Sequence, residues 1–299
     1  MCIVPDVSVI IPLYGQHRGQ TSLESVSKAW LAQDVPCEVV VAVAGAIPVR
    51  LAADVDAHRV ARVTRADGSA RAPGLLRNIG ARCARAPILY LSDADVLPLG
   101  RDFLTRAMKV ADTAAFTQPW MHRLIGDSGP NPVDLRAPEP GQCCYVRATK
   151  DGRLKPQGDE QLIPQLLAIG GVDIDAPTVI PPRVVFDQHP TSKGDWRVPF
   201  HWGGLMLERQ LFENVGGYCR RYYGWGCEDD DLLVKVAARH TITRAWQVDT
   251  TLTCLHFDHT YPYRGTPERN ANIARYTERL AAGPTAMIEE DAAVLRKIK

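Results

Sequence analysis

The sequence predicts an α/β protein: a mostly parallel central sheet flanked by helices, in one domain of two abutting halves. Three observations predict it. Over residues 1–115, short apolar β-branched runs alternate with amphipathic stretches of helical period. The intervals between the runs suit helical crossovers, which parallel strands require, rather than two-residue hairpins. One of the runs passes straight into acids, and open α/β sheets bind ligands beyond the carboxyl ends of their strands.

The elements follow in order. "VSVIIPL" (Val7–Leu13) is apolar throughout and closes on Pro12 and Gly15, as a strand buried on both faces does. In the next helix Thr21 and Glu24 fit a capping box, and Leu23, Val26, Trp30 and Leu31 share one face. "CEVVVAVAG" (Cys37–Gly45) is a second buried strand and "RVARVT" (Arg59–Thr64) a shorter third. Pro73 opens a helix, a favoured place for proline, with Leu76, Ile79 and Cys83 as its apolar stripe. "PILYLSDADVLP" (Pro87–Pro98) is the fourth strand. "RDFLTRAMKVAD" is a helix and "AAFTQPW" a strand.

From Gly126 to Gln157 proline, glycine and polar residues dominate, and a long irregular insertion is expected. "GGLMLERQLFENVGGY" (Gly203–Tyr218) reads as strand, short helix and glycine stop. From Pro267 onward the pattern is helical, interrupted at Gly283–Pro284. The expected organisation is a half at residues 1–115, a second at 116–266 and a helical segment at 267–299.

Bulk properties exclude some classes of function. Hydrophobic residues make up 45% and charged ones 23%, the balance of an ordered globular chain. The net charge is +1, so no bulk electrostatic case exists for nucleic acid or an anionic membrane as partner. The start, "MCIVPDVSVIIPLYG", lacks the basic region and long apolar run of a signal peptide. No stretch approaches ~18 uninterrupted apolar residues, so no transmembrane segment is expected, and a cytoplasmic location is. The eight cysteines form no CxxC pair, and reduced thiols are expected.

Two acidic features carry chemistry. "SDAD" places Asp93 and Asp95 just past a strand, where two carboxylates can share Mg²⁺ or Mn²⁺ with phosphate oxygens. Acids in such places also cap turns. A cation there would neutralise charge building on a diphosphate leaving group. Arg77, in the preceding helix, could add a bidentate phosphate contact or stand as a solvated helix arginine. The second feature is "YYGWGCEDDDLL" (Tyr222–Leu233). Acids in a first helical turn favour the helix dipole, and Leu232, Leu233 and Val236 would face the core. A carboxylate beside aromatic residues can equally serve as a base toward a hydroxyl. Both readings can hold together. Two histidines three residues apart, His256 and His259, close the next strand pattern, and imidazole is a common ligand of Mn²⁺-like ions. His201 precedes "WGG" and reads as packing or an acceptor contact.

The residues also carry a resemblance. "VSVIIPLYG" with "LLRNIGARCARAPILYLSDADVLP" resembles the nucleotide-binding half of GT-A glycosyltransferases of the family 2 type. "HWGGLMLERQLFENVGGYCRRYYGWGCEDDDLLVKV" resembles the C-terminal block of the β-1,4-galactosyltransferase (family 7) type. The resemblance spans most of residues 7–260.

It implies a GT-A fold with a Rossmann-like sheet, and inverting transfer of a hexose or N-acetylhexosamine from a nucleotide-diphosphate sugar to an acceptor hydroxyl. It implies donor contacts at Pro12, Tyr14, Arg77, Asn78, Asp93, Gly203 and Gly204. It implies Mn²⁺ or Mg²⁺ on Asp93, Asp95 and His259, with His256 as second choice. Asp229 would be the base, with Glu228, Trp225 and Tyr223 toward the acceptor. The chain departs from the pattern where "VVVAVAG" lacks terminal aspartates and where Cys227 replaces a glycine. A nucleotide-sugar-binding protein without transfer activity and a sugar nucleotidyltransferase are the alternatives. The latter should show a lysine-bearing phosphate loop, and "IIPLYGQHRGQ" has no lysine.

Overall fold

The computed structural model describes residues 4–15, 19–51, 60–66, 72–111, 118–124, 145–149, 153–157, 187–188, 196–197, 201–239, 248–257 and 265–296. In chain order they form β1 (Val7–Leu13), α1 (Gly19–Leu31), β2 (Cys37–Ala44), β3 (Val60–Ala66), α2 (Pro73–Cys83), β4 (Ile88–Leu91), β5 (Val96–Pro98) and α3 (Phe103–Ala111). Next come β6 (Gln118–Leu124), β7 (Tyr145–Ala148), β8 (Leu154–Gln157), β9 (Asp187–Gln188), β10 (Trp196–Arg197), β11 (Leu205–Glu208) and α4 (Arg209–Asn214). The chain finishes with α5 (Glu228–Arg239), β12 (Val248–Phe257), α6 (Pro267–Ala282) and α7 (Pro284–Leu295).

The first sheet has the order β11-β4-β1-β2-β3. Its β4, β1, β2 and β3 run parallel, and β11 joins β4 antiparallel. Every residue of β1 and β2 is buried, which is why these runs are apolar without alternation. The period of two still divides them. Val7, Val9, Ile11 and Leu13 enter one core cluster, while Ile10 enters another on the opposite face.

Helix α1 covers the first face with Leu23, Val26, Trp30 and Leu31, all inaccessible to solvent. It begins at Gly19, so Thr21 lies inside the helix and not at the cap expected of it. The apolar face decides this. Each such buried side chain stabilises by roughly 2 kcal/mol, against about 1 kcal/mol for a cap. Trp30, Tyr90 and Phe103 then meet at centroid distances of 4.8–5.5 Å. On the other face α2 approaches β1 closely. A Cβ at Gly80 would lie 2.6 Å from Ile10 Cγ2, so this crossing needs glycine for space.

The second sheet has the order β5-β12-β6-β7-β8. Here the insertion expectation is corrected: β7 and β8 lie within residues 126–157 and pair antiparallel, Tyr145 opposite Gln157. Their sequences, "YVRA" and "LKPQ", are short and carry charge and a proline, which hid them. Proline is tolerated in β8 because that strand is the edge of its sheet. The strand expected at "AAFTQPW" appears as Gln118–Leu124; residues 112–117 lie outside the described residues.

Both sheets converge on one turn. The chain leaves the first sheet at the end of β4, turns through Asp93–Asp95, and enters the second sheet as β5. β11 borders β4 with Leu205 opposite Leu91, which brings Gly203 and Gly204 beside the acids. β12 borders β5 with His256 opposite Val96, which brings the histidine to the other side. No helix among the described residues is long and apolar enough to cross a membrane.

Candidate active site

Five segments meet at the acidic turn: α2, the turn itself, residues 201–204, the loop after α4, and the start of α5. Arg77 is their hub. Its side chain is 2% exposed, with Nη2 2.5 Å from Asp93 Oδ1 and Nη1 3.4 Å from Asp229 Oδ1. His201 Nε2 lies 3.0 Å from Asp93 Oδ2, so both oxygens of Asp93 are engaged. Burial alone would raise the Asp93 pKa, but Arg77 and the His201 contact outweigh it and hold the carboxyl well below its ordinary range.

Asp229 stands in the first turn of α5, on the far side of Arg77. Its Oδ1 accepts from the Tyr218 hydroxyl at 2.9 Å. Burial raises its pKa, Arg77 opposes that rise, and the charge of Asp93 adds to it. Glu228 is 4% exposed and accepts from Gly226 N–H at 2.8 Å. Burial, then the neighbouring Asp229 charge, pushes it up to about 8. Asp230 is pushed up to about 7 by burial and by Asp229. Both adjacent acids are raised by burial, and the Arg77 charge opposes the rise in each.

Asp95 is 2% exposed, and its Oδ2 lies 3.7 Å from His256 Nε2. His256 Nδ1 lies 3.5 Å from Arg123 Nη1. Guanidinium only donates, so Nδ1 accepts and the ring proton of neutral His256 sits on Nε2, toward Asp95. Among the described residues no group of three His, Cys, Asp or Glu is arranged to hold a metal ion. His259, the first-choice ligand, lies outside the described residues. The carboxylates of Asp93 and Asp95 nevertheless sit on one turn as hard oxygen donors, a set that fits Mg²⁺ or Mn²⁺.

Other expected site residues are placed as follows. Pro12 is buried in β1, and Tyr14 follows it against Ala42, Ala44 and Leu76. Asn78 is buried in α2. Its amide accepts from Tyr218 N–H and donates to Tyr218 carbonyl, both at 2.8 Å, and so clamps the loop that carries Tyr218. Gly203 lies against the Arg77–Asp229 pair, and Gly204 lies beneath the His201 ring.

Tyr223 is half exposed. Trp225 is partly buried, and the Arg269 guanidinium lies 4.5 Å from its ring centroid. Asn272 of α6 donates to the carbonyls of Tyr223 at 2.9 Å and Trp225 at 3.4 Å, pinning the aromatic loop. Cys227 adopts φ +72°, a left-handed conformation that glycine occupies freely, which accounts for the glycine of the resembling pattern. Burial pushes its thiol up to about 11, so it is no reactive nucleophile.

Sequence reasoning missed the contacts of five residues. His201, which reads from sequence as packing or an acceptor contact, is the second partner of Asp93. Tyr218 was read only as the end of a glycine stop. Asn272 and Arg269 lie in a helix read only as amphipathic; the polar "ERN" run after Pro267 was their one signal. Asp231, read as a helix-start acid, is fully buried and ion-paired to Arg279 and Lys235.

With this geometry in view, the comparisons fall into place. Residues 190–260 match the family described as the N-terminal domain of galactosyltransferase, the stretch that holds β11, α4, α5 and β12. Two solved structures share the fold. The mannosyltransferase PcManGT from Pyrobaculum calidifontis, in complex with GDP-Man and Mn²⁺, is 17% identical with a TM-score of 0.51. That likeness covers 97% of this chain and 70% of that one.

The fold is GT-A. GalNAc-T7, solved with UDP, GalNAc and Mn²⁺, is 16% identical with a TM-score of 0.50, covering 92% of this chain and 48% of that one. TarS 1-349 from S. aureus is 14% identical with a TM-score of 0.47 over 84% of this chain, which spans 60% of the length of that structure. No curated protein matches the chain.

Proposed function

We propose that this GT-A protein is a metal-dependent inverting glycosyltransferase that moves a hexose or N-acetylhexosamine from a nucleotide-diphosphate sugar to an acceptor hydroxyl. One observation carries the reading: buried Arg77 bridges two partly exposed acids, Asp93 on the donor side and Asp229 on the acceptor side. An arginine between those acids can meet a diphosphate and opposes the rise that burial gives the Asp229 carboxyl. The family match over residues 190–260 and the nucleotide-sugar ligands of the neighbouring folds support the same chemistry.

In this reading Pro12, Tyr14, Arg77, Asp93, Gly203 and Gly204 form the donor side, and Asn78 shapes it through the Tyr218 loop. Asp229 takes the acceptor proton. Glu228 holds a neighbouring acceptor hydroxyl, and Tyr223 with Trp225 supports the acceptor ring. Asp95 and His259 would hold Mn²⁺ or Mg²⁺ with Asp93, and His256, whose Nε2 lies 3.7 Å from Asp95 Oδ2, is the second choice. The bound ion would neutralise charge on the departing diphosphate.

The test is a thermal-shift screen of UDP-galactose, UDP-N-acetylglucosamine, UDP-N-acetylgalactosamine and GDP-mannose, each with and without Mn²⁺. A shift with one donor that requires Mn²⁺, followed by nucleotide release with that donor, is the expected result. Absence of any donor-dependent shift would sink the reading. A shift without release by any acceptor would favour a binding protein.

A further inference from the structure

The two oxygens of Asp229 stand in different surroundings. Oδ1 accepts from the Tyr218 hydroxyl at 2.9 Å and faces Arg77 Nη1 at 3.4 Å. Oδ2 faces Gly203, where a Cβ would lie 3.3 Å from Oδ2 and 3.0 Å from Arg77 Nη2. Gly203 is not among the positive-φ glycines, so its backbone conformation does not demand glycine. Space in front of Oδ2 is what the missing side chain provides.

Tyr218 is held by several independent contacts. Asn78 clamps its backbone on both sides. The Arg77 guanidinium lies 5.3 Å from its ring centroid, and Phe212 packs at 6.1 Å. Gly74 meets the ring so closely that a Cβ there would lie 2.9 Å from Tyr218 Cβ. The hydroxyl therefore has one direction to point, toward Asp229. Burial raises the phenol well above its ordinary range, so it remains a donor at working pH.

Resting on the reading of Asp229 as the base, we propose that Oδ2 alone takes the acceptor proton, that Tyr218 is a positioning residue fixing Oδ1, and that Gly203 keeps the approach to Oδ2 open. In the transfer step the acceptor O–H proton passes to Oδ2. The acceptor oxygen forms its bond to the anomeric carbon as the carbon–oxygen bond to the nucleotide diphosphate breaks, and that electron pair leaves with the diphosphate. A carboxylate locked at one oxygen cannot rotate, so the remaining lone pairs keep one aim. The groups that face Asp229 are Arg77 from α2, Asp93 from the turn after β4, His201 from the segment before β11, Tyr218 from the loop after α4, and Glu228 and Asp230 from its own helix.

The experiment compares the full chain with Tyr218→Phe, Gly203→Ala and Asp229→Asn. Nucleotide release is followed with the four donors named above and Mn²⁺, and the Asp229 carboxyl is titrated by ¹³C NMR, assigned by its loss in Asp229→Asn. Tyr218→Phe should lower kcat about tenfold, the loss of one charge-assisted hydrogen bond, with donor KM unchanged. The acid limb of its pH profile and the Asp229 titration should both move to higher pH, which a mere packing role would not cause. Gly203→Ala should lower kcat without moving the Tyr218 contact. Full turnover by Tyr218→Phe with an unmoved titration overturns the positioning role alone. Full nucleotide release by Asp229→Asn overturns the base reading and the atom assignment together.

Discussion

The Arg77 guanidinium lies 2.5 Å from Asp93 Oδ1, and the two residues are held by different walls of the site, α2 and the turn after β4. The same planar fork reaches Asp229 at 3.4 Å, so its geometry, and not its charge alone, joins the turn after β4 to the start of α5. Lysine carries the charge as a single point on a flexible stem and cannot make both contacts in one geometry. Arg77→Lys should therefore lower kcat/KM for the donor at least tenfold (about 1.4 kcal/mol), measured by nucleotide release. Near-normal turnover would mean that the bridge is incidental.

Glu228 links the site to stability. Its folded pKa is raised to about 8 from an ordinary 4.5, burial being the first cause. A raised carboxyl favours the folded state below its unfolded value and loses that contribution as pH rises through the folded one. The window is thus roughly pH 4.5 to 8, with stability falling as pH climbs. Asp230 shifts in the same direction, so the comparison must be differential. Melting temperatures of the wild type should drop between pH 5 and pH 8.5 by several degrees more than those of Glu228→Gln. Parallel curves would place Glu228 in water.

Much of this arrangement was legible because it lies in local pattern. The buried strands β1 and β2, the face of α1, Pro73 at the start of α2, and the acidic start of α5 all follow from runs and periods within a dozen residues. The Asp93–Asp95 turn was legible for the same reason. What escaped was set by tertiary pairing. Nothing near His201 announces Asp93, which is 108 residues earlier. Nothing near Asn78 announces the Tyr218 backbone 140 residues later. β7 and β8 escaped because their partners, and not their composition, make them strands. The hydrogen bonds of Asn78 were not legible either, since sequence pattern reports neighbourhood and not hydrogen bonding.

Cys227 tests the strain argument. A non-glycine residue in the left-handed region costs about 1–2 kcal/mol, offset by the extra freedom that glycine has in the unfolded chain. Cys227→Gly should therefore stabilise the chain by about 0.5–1 kcal/mol, read as a higher urea midpoint with unchanged slope. Cys227→Val should destabilise, because a β-branched residue suffers most at this φ. Equal midpoints for all three would show that the backbone relaxes at this position.

The last prediction concerns the C-terminal helices and how they reach the site. Arg279 of α6 is 2% exposed and binds Asp231 of α5 through Nε at 2.5 Å and Nη2 at 3.2 Å. Its Nη2 also meets Asp291 of α7 at 2.6 Å, and Lys235 joins Asp291 at 2.5 Å. Two buried cations thus balance two buried acids at the junction of three helices. Such a network adds little over an apolar core of equal volume, but removing one member leaves an unpaired buried charge. Arg279→Met should cost about 3–5 kcal/mol, by urea unfolding, while replacing all four members with apolar residues should cost far less. Added salt should leave the wild-type value almost unchanged, since screening acts on exposed pairs. The same helix carries Arg269 over Trp225 and Asn272 on the backbone of Tyr223. Below its unfolding midpoint, Arg279→Met should consequently raise the acceptor KM while the donor-dependent thermal shift persists. Loss of both together would tie α6 to the whole site and not to its acceptor side.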